Sequence, residues 1–249
     1  MMRADELLFS RGLVESRSKA RALIEEGKVR CNGVAVDKPS RKCPDDAEIS
    51  IDSDASALRF VSRAGLKLEG CLEKFGIDLT GLSVLDAGAS TGGFTDCALS
   101  RGAKSSCCVD VGFGQLHEKL RGDPRVRNLE KTDVRDLSPE FFDGELFDFV
   151  CADLSFISLE KVFSNLWSVL KKSGTIVCLV KPQFETSPSI MRRNKGVLRD
   201  DALRRAALDK IANYVSENFA DAEFVGETES VVHGGDGNLE YLLVFEKKP

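Results

Sequence analysis

From residue 82 onward the chain alternates short apolar runs with amphipathic stretches. Strands are expected near 82–86, 106–110, 126–129, 147–153 and 174–180, followed by a pair near 222–232 and 239–246. Between the fifth and sixth of these, Leu203, Ala207, Leu208, Ile211 and Tyr214 recur at helical spacing, so 200–218 reads as a crossover helix. The last two runs are joined by Gly234-Gly235-Asp236-Gly237-Asn238, too short for a helical crossover, which makes them antiparallel neighbours. The pattern predicts a doubly wound α/β fold whose mostly parallel sheet ends in an antiparallel pair.

The first fifty residues follow a different rhythm. Ser16 reads as the N-cap of a helix through Arg17, Ala20, Arg21, Leu23 and Ile24, with Gly27 as its stop. Leu23 and Ile24 turn inward in that reading, while Arg17 and Arg21, four residues apart, share an outer face. Val29-Arg30-Cys31 and Val34-Ala35-Val36 flank Asn32-Gly33, a pair suited to the positive φ that a two-residue hairpin turn demands. Pro39 ends the pairing, and Glu48-Ile49-Ser50-Ile51 closes the unit near residue 53. A small α+β domain over 1–57 and a sheet domain over 58–249 are therefore expected.

Composition narrows the class. With 249 residues and 42% apolar side chains the chain has room for one α/β domain and one small accessory unit. Charges stand at Arg3, Asp5 and Glu6 where a secretion signal needs an apolar core, and no run approaches the ~18 apolar residues of a membrane span, so the cytoplasm is expected. Eight cysteines include no Cys-x-x-Cys, and His117 and His233 are the only histidines, so reduced core thiols are expected and no metal site is. The net charge of −5 is uneven: residues 1–44 carry +4 and the remainder −9. A basic module on an acidic body suits local contact with nucleic acid.

The first strand-to-helix turn reads Asp86-Ala87-Gly88-Ala89-Ser90-Thr91-Gly92-Gly93-Phe94-Thr95. Its glycines let backbone approach a ligand, and the helix that follows favours anionic groups. The spacing is not Gly-x-Gly-x-x-Gly, and Asp86 would repel a pyrophosphate, which disfavours a nicotinamide-dependent dehydrogenase. The cationic amino group of S-adenosylmethionine suits that carboxylate better. Gly88, Ser90, Thr91, Gly92, Gly93 and Phe94 are the expected cradle. Asp110, 24 residues after Asp86 at the end of the second strand, is placed to accept two ribose hydroxyls. Asp133, after the third strand, is the candidate partner of an adenine amino group.

Two resemblances bear on function. Arg3-Ala4-Asp5-Glu6-Leu7-Leu8, Ser16-Arg17-Ser18-Lys19-Ala20-Arg21, Gly27-Lys28-Val29 and Asn32-Gly33 resemble the RNA-binding domain first seen in the fourth small-subunit ribosomal protein. That resemblance implies phosphate contacts with structured RNA, for which Arg17, Lys19, Arg21, Lys28, Arg41 and Lys42 are the candidates. Lys67, Asp153, Lys181 and Glu240, the last three beside expected strand ends, are similar to the Lys-Asp-Lys-Glu set of FtsJ-type ribose 2′-O-methyltransferases. Together with the N-terminal module, they make the chain resemble the hemolysin A or TlyA family of ribosomal RNA methyltransferases. What this implies is a Rossmann-like methyltransferase sheet with an antiparallel last strand, S-adenosylmethionine as cofactor, ribosomal RNA or ribosomal subunits as partner, and a cytidine as target. Asp133 stands where that family often has asparagine.

Such a reaction needs what the four residues offer. A ribose hydroxyl is a poor nucleophile until its proton leaves, and its attack on a sulfonium methyl must be in line. Lys181 is the candidate base if its amine is neutral; if it stays charged, Asp153 orients the hydroxyl instead. Two other readings remain at this point. A membrane-lytic hemolysin would need a spanning or amphipathic segment, and none is visible in the sequence. An RNA-binding regulator with a non-catalytic cofactor pocket is opposed by the intact set of four.

Overall fold

The computed structural model describes residues 1–52, 59–234 and 237–249. The expected boundary at 57/58 lies outside the described residues. By its internal contacts the chain divides into a unit of Met1–Arg63 and a unit of Ala64–Pro249.

In the first unit, β1 (Met2–Arg3) leads into α1 (Ala4–Ser10), which packs on α2 (Arg17–Glu25). The Ser16 hydroxyl caps α2 by accepting the Lys19 N–H at 3.1 Å. At the other end Gly27, at φ 71°, lets the Lys28 N–H return to the Leu23 carbonyl, which stops the helix. The hairpin of β2 (Val29–Cys31) and β3 (Val34–Ala35) turns through Asn32 and Gly33, both at positive φ. Then β4 (Lys42–Cys43) pairs antiparallel with β1, and β5 (Ile49–Ile51) pairs antiparallel with β2. Leu7, Leu8, Leu23, Ile24 and Val29 fill the core between helices and strands.

The second unit opens with α3 (Ala64–Phe75) and β6 (Ser83–Ala87). Next come α4 (Gly93–Ser100), β7 (Ser105–Asp110), α5 (Glu118–Arg121), β8 (Val126–Glu130) and β9 (Phe147–Ala152). The chain continues through α6 (Phe163–Ser168), β10 (Leu170–Val180), α7 (Pro182–Glu185), α8 (Pro188–Arg193) and α9 (Asp201–Asn218). It ends with β11 (Ala222–Glu229) and β12 (Tyr241–Lys247).

The seven strands lie in the order β11-β12-β10-β9-β6-β7-β8. β12 runs antiparallel to both its neighbours, so it is inserted between β10 and β11 and leaves β11 at the edge. All other pairings are parallel. This is the mostly parallel sheet with an antiparallel last strand that the sequence pattern predicts. It brings the carboxyl ends of β6, β7, β9, β10 and β11, together with the start of β12, to one edge.

Strand β10 starts at Leu170, four residues before the expected position, because Lys171, Lys172 and Ser173 disguise its first turn as a loop. An irregularity between Leu170 and Thr175 absorbs them, and Lys171 Nζ donates to Asp148 Oδ1 at 2.7 Å. All eight cysteines are buried free thiols. Among the described residues no helix is long and apolar enough to cross a membrane.

Candidate active site

Strand β6 carries Asp86 into the interior, where it is 1% exposed. Its Oδ2 accepts hydrogen bonds from the Thr95 N–H at 3.0 Å and the Thr95 hydroxyl at 2.7 Å, and so caps the first turn of α4. Its Oδ1 is equally buried and has no hydrogen-bond partner among the described residues. Burial raises this carboxyl from its ordinary 3.8 to about 7, against the Thr95 hydrogen bonds and with help from Asp153 and Asp110. A buried acceptor left unpaired is costly, and it is what a donor on a cationic ligand would relieve.

The loop after Asp86 is shaped by close passages. At Gly88, φ 80°, an added Cβ would lie 2.6 Å from the Asp153 carbonyl oxygen. At Gly92, φ 90°, it would collide with the Leu120 and Leu116 side chains. The first glycine lets the β6 and β9 loops touch, and the second seats α5 against the turn. Ser90 and Thr91 are exposed at the tip, Gly93 is buried where α4 begins, and Phe94 is core, 2% exposed. Phe94 is thus enclosed by packing of α4 rather than presented by the loop, unlike Ser90 and Thr91.

Asp110 closes β7 and braces two loops at once. Its Oδ2 accepts the Ser90 N–H at 2.8 Å and its Oδ1 the Gly112 N–H at 2.7 Å. Each oxygen keeps a lone pair for a further donor. Asp133 has a local occupation: it caps the 3₁₀ turn Val134–Asp136 and binds the Arg135 guanidinium, which, with the Arg135 backbone N–H, lowers its carboxyl to about 2. Both Asp133 oxygens are thus engaged within its own turn, whereas Asp86 keeps Oδ1 unpartnered among the described residues.

The four residues singled out by resemblance, far apart in sequence, meet at the same sheet edge. Lys181, directly after β10, places Nζ 2.6 Å from Asp153 Oδ1 and donates its hydrogen bond to the Ser155 hydroxyl at 2.8 Å. Lys67, in the first turn of α3, donates to Glu240 Oε2 at 2.5 Å and lies 3.9 Å from Asp153 Oδ2. The order Lys181–Asp153–Lys67–Glu240 is a chain of alternating charges. Both lysines and Glu240 are buried, and Asp153 is partly so. Two positive and two negative groups cancel, which is the condition for keeping such charges out of water.

Several neighbours carry no expectation from sequence. Phe156, two residues beyond Leu154, sits at φ 64° and is 89% exposed, an unusual conformation for a bulky residue. Its ring packs at 5.0 Å on Phe184, whose ring in turn lies 5.9 Å from Lys181 Nζ. Asn238 fixes the approach to Glu240 by accepting the Leu198 N–H at 2.8 Å and donating to the Gly196 carbonyl at 3.0 Å. The signal that could have exposed these residues is proximity in sequence to Asp153, Lys181 and Glu240.

In the first unit the structure gathers Arg17 and Arg21 and adds Arg3. All three guanidiniums bond the fully buried Asp5 carboxylate, from 2.9 to 3.3 Å, which holds Asp5 well below the usual carboxylate range. The other basic candidates stand apart. Lys19 pairs with Glu15 at 3.2 Å, Arg41 with Asp37 at 3.9 Å, Lys42 is exposed on β4, and Lys28 is half-buried at the end of α2.

Comparison with known proteins agrees with both units. The FtsJ-like methyltransferase family matches residues 60–247, and the S4 domain matches residues 2–49. Hemolysin A of Brachyspira hyodysenteriae is 41% identical over 246 residues, covering 98% of this chain and 99% of that protein. The 16S/23S rRNA (cytidine-2′-O)-methyltransferase TlyA of Mycobacterium tuberculosis is 43% identical over 241 residues, 97% of this chain and 88% of TlyA. A solved structure of a candidate hemolysin from Streptococcus thermophilus superposes with a TM-score of 0.77 at 38% identity, covering 99% of this chain and 88% of that one. The chain therefore belongs to the FtsJ-like methyltransferase family and carries an S4 domain ahead of its methyltransferase domain.

Proposed function

We propose that this protein transfers a methyl group from S-adenosylmethionine to the 2′-hydroxyl of a cytidine in ribosomal RNA, in the cytoplasm, with the S4 domain as its RNA anchor. The observation that carries the reading is the buried Lys181–Asp153–Lys67–Glu240 chain on the same sheet edge as the unpartnered Oδ1 of Asp86. The cytidine and the ribosomal target come from the TlyA relative.

The residues present fit the cofactor. Asp86 offers Oδ1 to its amino group, the Gly88–Thr91 loop lines the approach, and Asp110 offers acceptors to ribose hydroxyls. When bound, S-adenosylmethionine supplies an electrophilic methyl on a sulfonium. The protein must then bring a hydroxyl oxygen into line and manage its proton. Lys181 is the group for that task, because Asp153 and Ser155 hold its amine from two sides and leave it few rotamers. Lys67 holds Asp153 in turn, and Glu240 holds Lys67. The exposed Phe156 ring offers a stacking face to an unpaired base beside Lys181, the way proteins take hold of splayed nucleotides.

Purified protein, labelled S-adenosylmethionine and ribosomal subunits from cells lacking the gene test this directly. Mass mapping should find one 2′-O-methyl cytidine gained. Cofactor binding without transfer to either subunit or to free ribosomal RNA would overturn it.

A further inference from the structure

Strands β9 and β10 are parallel neighbours, with Cys178 opposite Ala152. The segment that follows β9 carries Asp153, Ser155 and Phe156, and the turn that follows β10 carries Lys181 and Phe184. These are the groups that must keep their separation if Lys181 is to be aimed. At the near end the two segments meet through Lys181, Asp153 and Ser155. A second tie lies at the far end, one helical turn beyond Lys181.

That tie is Glu185, the last residue of α7, whose side chain is 2% exposed. Its Oε1 accepts the Leu159 N–H at 2.8 Å. Its Oε2 accepts the Ser158 hydroxyl at 2.5 Å and the Lys210 ammonium of α9 at 3.3 Å. Lys210 also pairs with Glu160 at 2.7 Å. One buried carboxylate therefore fastens the end of the β9 segment, the β10 turn and α9 together. Its carboxylate bonds Ser158, Leu159 and Lys210 and stands outside the Lys181–Asp153–Lys67–Glu240 chain.

We propose that Glu185 is a positioning residue: it clamps the Asp153–Ser158 segment to the Lys181 turn and so fixes the geometry of methyl transfer. The inference rests on the functional reading above. Between Asp153, whose N–H bonds the Ala87 carbonyl, and Leu159, the segment contains a left-handed Phe156 that its neighbours must hold in place. Ser155 and Glu185 supply the side-chain holds on either side of it. An alanine at 185 would leave Leu159 N–H and Ser158 Oγ without their acceptor and loosen that hold.

Glu185→Ala in the full-length protein should keep its affinity for S-adenosylmethionine, since Asp86 and Asp110 stand on other strands. Single-turnover methyl transfer to ribosomal subunits should fall about 10²-fold, the scale of a displacement near 1 Å at a reacting centre. Glu185→Gln should stay within several-fold of the parent, because its amide still accepts from Leu159 and can donate to the Ser158 hydroxyl. Ser158→Ala, which removes one strand of the clamp without touching the buried carboxylate, should lower the rate in the same direction and guards against a misfolded Glu185→Ala. Hydrogen exchange over 153–160 reads the clamp without any reaction: it should accelerate in Glu185→Ala and Ser158→Ala and not in Glu185→Gln. Unchanged exchange and unchanged transfer in a folded Glu185→Ala would overturn the proposal, as would Glu185→Gln failing as badly as alanine. Absence of transfer by the unmodified protein would sink the functional reading alone, while the exchange data still decide the clamp.

Discussion

Lys67, on the helix that precedes the sheet, donates a 2.5 Å hydrogen bond to Glu240, the residue before its last strand. The two are separated by 173 positions in the chain and are both buried. This pair joins the first helix of the domain to the loop before its last strand, so it serves stability and site geometry together.

Removing one partner should be worse than removing both. Glu240→Ala leaves Lys67 buried with Asp153 as its remaining carboxylate, 3.9 Å away, and should destabilise the protein by about 3 kcal/mol. A Lys67→Met, Glu240→Leu double variant should recover most of that loss while remaining inactive. Denaturant unfolding of the set checks the first claim and methyl transfer the second. Equal stability losses in single and double variants would mean that the pair is not energetically coupled.

Asp86 should make cofactor affinity depend on pH. In the protein without ligand its carboxyl is raised by burial to about 7, so it holds a proton that the unfolded chain gives up near 3.8. The sign follows from proton counting: this group's stabilising contribution is complete below pH 3.8 and is lost as pH rises toward 7. A cationic amino group beside Oδ1 favours the carboxylate form, so affinity should rise about fivefold from pH 6 to pH 7, where an α-amino group stays protonated. Calorimetry should show that slope in the parent and a weak, flat profile in Asp86→Asn. A flat profile in the parent would separate Asp86 from the amino group.

Much of this organisation was legible in the sequence, and the omissions have physical reasons. Period-two and helical apolar patterns place the strands because burial imposes them. They carry no information on lateral order, so the insertion of β12 between β10 and β11 had to come from the structure. The start of β10 was hidden by Lys171 and Lys172, which are polar because that end of the strand reaches solvent. The four-residue set became visible through family resemblance, since nothing local links Lys67 to Glu240. Phe94 followed a glycine turn and read as part of the cradle, yet α4 turns it into the core. From the sequence Asp5 reads only as a charge near the N-terminus within the motif that resembles the RNA-binding domain, and its three arginines are assembled by the packing of α1 on α2.

That arginine cluster predicts how RNA binding responds to salt. Arg3, Arg17 and Arg21 share one buried carboxylate, so a net positive charge remains for phosphate. Arg17→Ala should weaken binding to ribosomal subunits across sequences and reduce the slope of log affinity against log salt by about one. Asp5→Asn removes the common acceptor and should weaken binding further than its gain in positive charge would suggest, because the guanidiniums lose their aim. Tighter binding by Asp5→Asn would show that charge, rather than arrangement, decides.

Lys181 carries the sharpest prediction. Its amine is held by Asp153 and Ser155 at the end of β10, while the residues proposed for the cofactor stand on β6 and β7. Lys181→Ala should therefore leave S-adenosylmethionine affinity nearly unchanged and lower methyl transfer by the roughly 10²- to 10⁴-fold that a positioned acid–base group contributes. Lys181→Arg distinguishes two ways of acting. If the amine takes the hydroxyl proton, arginine should fail almost as badly as alanine, because a guanidinium stays protonated. If the role is electrostatic, holding Asp153 and the hydroxyl in place, arginine should retain a substantial part of the rate. Single-turnover measurements keep product release from masking the chemical step. Turnover close to that of the parent in Lys181→Ala would remove this lysine from the reaction, and with it the reason for a buried chain of charges that ends there.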